Sequence, residues 1–208
     1  MQRRVAIYLA GAIQKGHKSS DSLCWTDGHM AEIQENLGDF KALFLNPAIR
    51  SDDLTDQHSV FGRDMLQVLT SHIVFVDARA KRGLGVGAEM MWAKLNKIPV
   101  VTWAPKNTHY HQNETSILGV QVVNFVHPFV EALSDKIVDS PAEGARWIEA
   151  MMSDSNIQVK GRESIQSAMQ YYRNTQLHRD QPMQDLLGEC EELRAKVTGS
   201  LLTTILNG

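Results

Sequence analysis

The chain has 208 residues, 43% of them hydrophobic and 22% charged, with a formal net charge of −3. That length suits one α/β domain with a sizeable core plus an appendage, and the charge balance carries no nucleic-acid footprint. No segment approaches the roughly 20 apolar residues of a membrane helix.

Short apolar runs alternate with helical patterns along the chain. The opening "MQRRVAIYLAGAIQKG" is basic then apolar, but Gln14-Lys15 interrupts it where a signal-peptide core would continue. Within it, "VAIYLA" at 5–10 reads as strand 1, closed by Gly11. Residues 21–37 fit a helix that Ser20 or Asp21 would cap. "FKALFLNP" at 40–47 reads as strand 2, ended by a proline, and Val60, Met65, Val68 and Leu69 have helical spacing over 59–69. "HIVFVDA" at 72–78 is a continuous apolar run ending in Asp77, as for a strand buried on both faces. After a glycine-rich loop, 88–95 is helical, "IPVVTWA" at 98–104 is strand 4, and "VQVVNFV" at 120–126 is expected to be strand 5. Between these last two, "PKNTHYHQNETSILG" at 105–119 is a polar loop longer than most connections, a candidate lid or interface.

This alternation predicts a doubly wound α/β fold of the flavodoxin or Rossmann-like kind: a five-stranded parallel sheet with helices on both faces. The expected division is an α/β domain over 1–155 and a helical extension over 156–208, the latter interrupted at Pro182. Cys24 and Cys190 lie far apart, at no metal or redox spacing, so a reduced cytoplasmic compartment is the simplest reading. His109 and His111 have no third ligand at a suggestive spacing, so no metal is expected.

In an open parallel sheet, ligands bind at the carboxyl ends of the strands where strand order reverses. The Gly11-Ala12-Ile13 loop after strand 1 and the loop after Asp77 are the natural pair around such a crevice. In "RGLGVGAEMMWA" at 82–93, Gly83, Gly85 and Gly87 lower the steric wall before a helix whose positive end points the same way. Glu89 then has two readings: a dipole-stabilised acid in a first helical turn, or a carboxylate at the floor of a site. The pattern is not the dinucleotide fingerprint, and Asn46-Pro47 stands where the acid of that fingerprint is expected. Asp64 reads either as part of a solvated helix face or as a site acid. Asp77, ending a buried strand, must be paired, hydrated or used. Tyr8 reads as core or as a site group.

Four stretches, in order, resemble the nucleoside 2-deoxyribosyltransferase superfamily, which includes the 2′-deoxynucleoside 5′-phosphate N-hydrolases. They are "IYLAGAI" at 7–13, "GRDMLQVLTSHIVFVDA" at 62–78, "GLGVGAEMMWAKLNKIPVV" at 83–101 and, more weakly, "GVQVVNFVHPFVEALSD" at 119–135. The resemblance covers about residues 4–135. It implies cleavage or transfer at the N-glycosidic bond of a nucleoside or nucleoside 5′-monophosphate, with Glu89 as nucleophile. It further implies that Asp64 orients or protonates the base, that Asp77 is the strand-end acid, and that Tyr8 positions the nucleophile. Gly11, Ala12, Ile13, Gly83, Gly85 and Gly87 would line the substrate; Arg82, with Lys81, stands where many members carry an acid and reads either as a contact to a 5′-phosphate or as part of a solvated loop. No cofactor is implied, and a homo-oligomer, dimer or higher, is expected. The chain departs from the family pattern at Ala12, at Ala88, at Met91-Trp92 and at Gly83, which stands where the N-hydrolases place a serine. Two other readings stay open: a nucleotide-binding or signalling module of the same fold without turnover, and an NAD-cleaving glycohydrolase.

Overall fold

Alternation of side chains along the first strand sets the architecture. In the computed structural model, which describes residues 3–13, 23–154 and 156–199, β1 (Arg3–Ala10) sends Val5, Ile7 and Leu9 into one core. Tyr8, between them in sequence, points to the other face because side chains alternate along a strand. β1 is flanked by β2 (Phe40–Leu45) on one side and β3 (Ile73–Asp77) on the other, both parallel to it. β4 (Val100–Trp103) and β7 (Lys136–Val138) continue the sheet, giving five parallel strands in the order β2-β1-β3-β4-β7. The order reverses between β1 and β3, the crevice-forming point of a doubly wound sheet. β3 is buried along its whole length, as its uninterrupted apolar run requires, whereas β2 alternates between buried and exposed, as an edge strand does.

Helices cover both faces. α1 (Asp27–Glu35) and α5 (Pro141–Ser153) place Ile33, Ala145 and Ile148 against Ile7, Ile73, Phe75 and Val101. α2 (Gln57–Thr70), α3 (Leu84–Leu95) and α4 (Pro128–Leu133) cover the opposite face, with Val76, Val86, Met90, Val130 and Leu133 facing a common space. α1 starts at Asp27 under a capping box formed by Thr26 and His29; the proposed caps Ser20 and Asp21 lie outside the described residues.

The fifth strand differs from expectation. "VQVVNFV" is β6 (Val120–Val126), and it pairs antiparallel with β5 (His111–Ile117), inside the segment read as a polar loop, in a separate two-stranded ribbon. The true fifth strand is the three-residue β7, whose "KIV" is too short for a periodicity to register. Leu118, at φ 51°, and Gly119, at φ 82°, make the ribbon's tight turn.

Contacts divide the chain into two compact units, Met1–Gly161 and Arg162–Gly208. The second contains α6 (Arg162–Thr175), a 3₁₀ turn (Leu177–Arg179), α7 (Gln181–Glu189) and α8 (Glu191–Thr198). Pro182 stands in the first turn of α7, where its missing N–H costs nothing. Among the described residues, no helix is long and apolar enough to cross a membrane.

Candidate active site

The glycine-rich stretch is mostly helix. α3 begins at Leu84, so Gly85 and Gly87 lie in its first turn or just past it, and Glu89 falls in the second turn rather than the first. The helix dipole acts mainly within the first turn, and burial dominates instead. Glu89 is 8% exposed, and desolvation pushes its carboxyl up to about 7, opposed by the Tyr8 hydroxyl and reinforced by the charge of Asp64. Gly85 lies against this carboxylate, since a Cβ there would stand 3.7 Å from Glu89 Oε1.

Tyr8 rises from β1 on the same face and is fully buried. Burial first, then the negative charges of Glu89 and Asp64, hold its phenol far above the ordinary value, so it stays a neutral donor. Tyr8 Oη and Glu89 Oε2 are both buried and neither makes a hydrogen bond of full geometry among the described residues, although the phenol lies close enough to the carboxyl to favour its ionised form. Buried polar atoms are normally satisfied, so this incompletely bonded phenol–carboxyl pair has capacity for a further polar partner.

Asp64 comes from α2. It is bracketed by Arg50, at 3.5 Å, and Arg63, at 3.6 Å. Desolvation raises its carboxyl above the usual range, against the pull of the two guanidiniums. Arg50 is in turn held by Asp52 through Nε at 2.8 Å. Trp92 of α3 donates its indole N–H to the Met65 carbonyl of α2 at 3.2 Å, which ties together the two helices carrying the acids. Tyr8, Asp64 and Glu89 are therefore one group.

Asp77 belongs to a different group. It continues the series Ile73, Phe75, whose side chains lie in the α1/α5 core, and so faces away from Tyr8. A Cβ on Gly11 would stand 3.2 Å from the Trp25 ring and 3.5 Å from Asp77 Cβ, so Gly11 allows the close approach of these two to the strand end. Asp77 is fully buried and accepts from Arg79 Nε and Nη2, both at 3.0 Å. The Arg79 guanidinium stacks 3.8 Å from the centre of the Trp103 ring. Arg82, read from the sequence as a phosphate contact, folds inward: Nη2 lies 2.8 Å from Asp77 Oδ1 and Nε donates to the Asp77 carbonyl. Lys81 is exposed.

The remaining predicted contacts sit in two places. Gly11, Ala12 and Ile13 line a cavity of about 110 Å³ with Trp25, Asn46 and Pro47, over the ends of β1 and β2. Gly83 and Gly87 border another, of about 160 Å³, on the other flank of α3 from Glu89. His111 Nδ1 contacts the Ala104 carbonyl at 2.8 Å while His109 packs edge-on against Tyr110. Among the described residues, no three His, Cys, Asp or Glu side chains converge as metal ligands.

Sequence reasoning missed Arg50 and Arg79. Arg50 is 14 residues from Asp64 and carries no local signal. Arg79 follows Asp77 by two in "DARAKR", and a buried strand-end acid needing a partner pointed to it. Compared with known proteins, the chain matches no family model and no curated protein.

Proposed function

We propose that this protein cleaves or transfers at the N-glycosidic bond of a nucleoside or nucleoside 5′-monophosphate, with Glu89 as nucleophile. One observation carries the reading: a buried Glu89 adjoins a neutral buried phenol, each with an unspent polar atom, beside a second acid on a helix tied to the first. The resemblance of the "IYLAGAI", "GRDMLQVLTSHIVFVDA" and "GLGVGAEMMWAKLNKIPVV" stretches supports it.

The chemistry follows from the charges. As the bond to the base breaks, positive character develops on the anomeric carbon, and a carboxylate held in low dielectric gains most from that charge. A Glu89 oxygen forms a bond to that carbon while the base departs with the bonding electron pair. The Tyr8 O–H favours the ionised carboxylate as substrate enters. Asp64, its carboxyl raised by burial, orients the base or supplies its proton. Water attacking the same carbon then releases free sugar, or a second base accepts it.

The test is base release from a broad panel of nucleosides and 5′-monophosphates, wild type against Glu89→Gln. Release that falls by about a thousandfold or more in the variant supports the assignment. Release absent across the panel, or unchanged by the substitution, overturns it. Addition of a second base separates transferase from hydrolase by diverting sugar into a new nucleoside.

A further inference from the structure

The cavity on the other flank of α3 is built differently from the Glu89 site. Val76, Val86, Met90, Val130 and Leu133 make its walls, and its volume is about 160 Å³, partly open to solvent. A dry cavity of about 150 Å³ takes one benzene-sized ring. Its polar groups gather at one end. Arg82, whose side chain is 6% exposed, lines the space, and its Nη2 completes no hydrogen bond among the described residues despite its ion-pair distance to Asp77. His127 Nδ1 is enclosed and likewise unsatisfied. The Arg82 backbone N–H is already used, donating to the Tyr110 hydroxyl at 2.9 Å.

Arg82 brings a guanidinium to that end, ion-paired with the Asp77 carboxylate that Arg79 also holds from outside the cavity. Gly83, also at the wall, starts α3 with no side-chain cap, so the positive end of the helix lies there as well. A Cβ at Gly83 or Gly87 would meet nothing within 4 Å, so the space is not taken up by protein there.

From this cavity we infer a second binding site, for a small carboxylate on a compact apolar body, with the carboxylate on Arg82 and His127 and the body among Val86, Met90, Val130 and Leu133. A ligand carboxylate supplies a partner for His127 Nδ1 and a second charged partner for the Arg82 guanidinium that Asp77 already pairs. The site stands apart from the glycosidic reading and does not depend on it.

The test uses the full-length protein with benzoate, benzyl alcohol and uracil, titrated by calorimetry and ligand-observed NMR. Benzoate is expected to bind saturably, at least about tenfold more tightly than its uncharged analogue benzyl alcohol, with uracil weaker still. Val130→Phe and, independently, Gly87→Leu fill the cavity and are expected to abolish benzoate binding. Arg82→Met is expected to erase the preference for benzoate over benzyl alcohol. The inference is overturned by absence of saturable benzoate binding, by equal affinity for benzyl alcohol, by tighter uracil binding that the filled variants abolish, or by benzoate binding that survives in a folded filled variant. Thermal melts of each variant identify the folded ones, and Gly87→Leu, entering open space at a helical glycine, serves if Val130→Phe does not fold.

Discussion

Glu89 concentrates the residue-scale consequences. Its folded-state carboxyl sits at about 7 against an ordinary 4.5. The native state therefore binds more protons than the unfolded chain between those values, and stability falls as pH rises through that window. At about 1.4 kcal/mol per pH unit the loss is about 3 kcal/mol. Glu89→Gln removes the buried charge, so at pH 8 it is expected to raise the melting temperature by several degrees while abolishing base release, which paired melts and assays would check. If ionised Glu89 is the nucleophile, kcat/KM rises with pH through about 7. Its neighbours move that limb in opposite directions. Tyr8→Phe removes a group that favours the carboxylate and shifts the limb to higher pH; Asp64→Asn removes a repelling charge and shifts it to lower pH. A pH–rate profile in which both variants move the same way would falsify the arrangement. The surroundings of Glu89 and Asp64 were open in the sequence, because the same residue types serve solvated helix faces, and only the tertiary structure shows Glu89 buried and Asp64 held between Arg50 and Arg63.

At the scale of elements, two close contacts set the helices against the sheet. Gly144 of α5 packs on Phe75 of β3 so tightly that a Cβ would stand 2.2 Å from the ring's Cζ. Alanine normally favours a helix by about 1 kcal/mol over glycine. Here the ring is fully buried, so Gly144→Ala is expected to destabilise by about 1–3 kcal/mol, read by chemical denaturation. At the far end of α3, Lys94 is buried and paired with Asp135, which also accepts from the backbone N–H groups of Val100 and Lys160, both at 2.6 Å. Lys94→Met leaves that carboxylate without its charge partner and is expected to cost about 3–5 kcal/mol. Strands β1, β3 and β4 were legible because they are long apolar runs. β7 was not, since three residues carry no period, and the β5–β6 ribbon was misread because polar residues dominate β5.

Over the described residues, exposed apolar side chains are spread over several elements, among them Phe61, Leu66 and Leu69 of α2 and Ile117, Leu118, Val120 and Val123 of the β5–β6 ribbon. Contiguous exposed apolar surface is what self-association would cover, and the expectation is at least a dimer. Light scattering at micromolar concentration checks this, and a strict monomer would contradict it. The class of the fold, a parallel doubly wound sheet, and the order of its first four strands were determined by the sequence alone, because hydrophobic periodicity is local and each run reports its own burial, whereas the fifth strand came from β7 and not from the apolar run at 120–126. The grouping of the acids was decided only by the tertiary structure. Asp77 and Glu89 are 12 residues apart and equally conspicuous in the chain. Strand parity sends Asp77 to the α1/α5 face, where Arg79 and Arg82 hold it, while α3 carries Glu89 to the face where Tyr8 emerges. Which face a side chain meets depends on the partners packed there, and those partners, Arg50 for Asp64 above all, come from distant parts of the sequence.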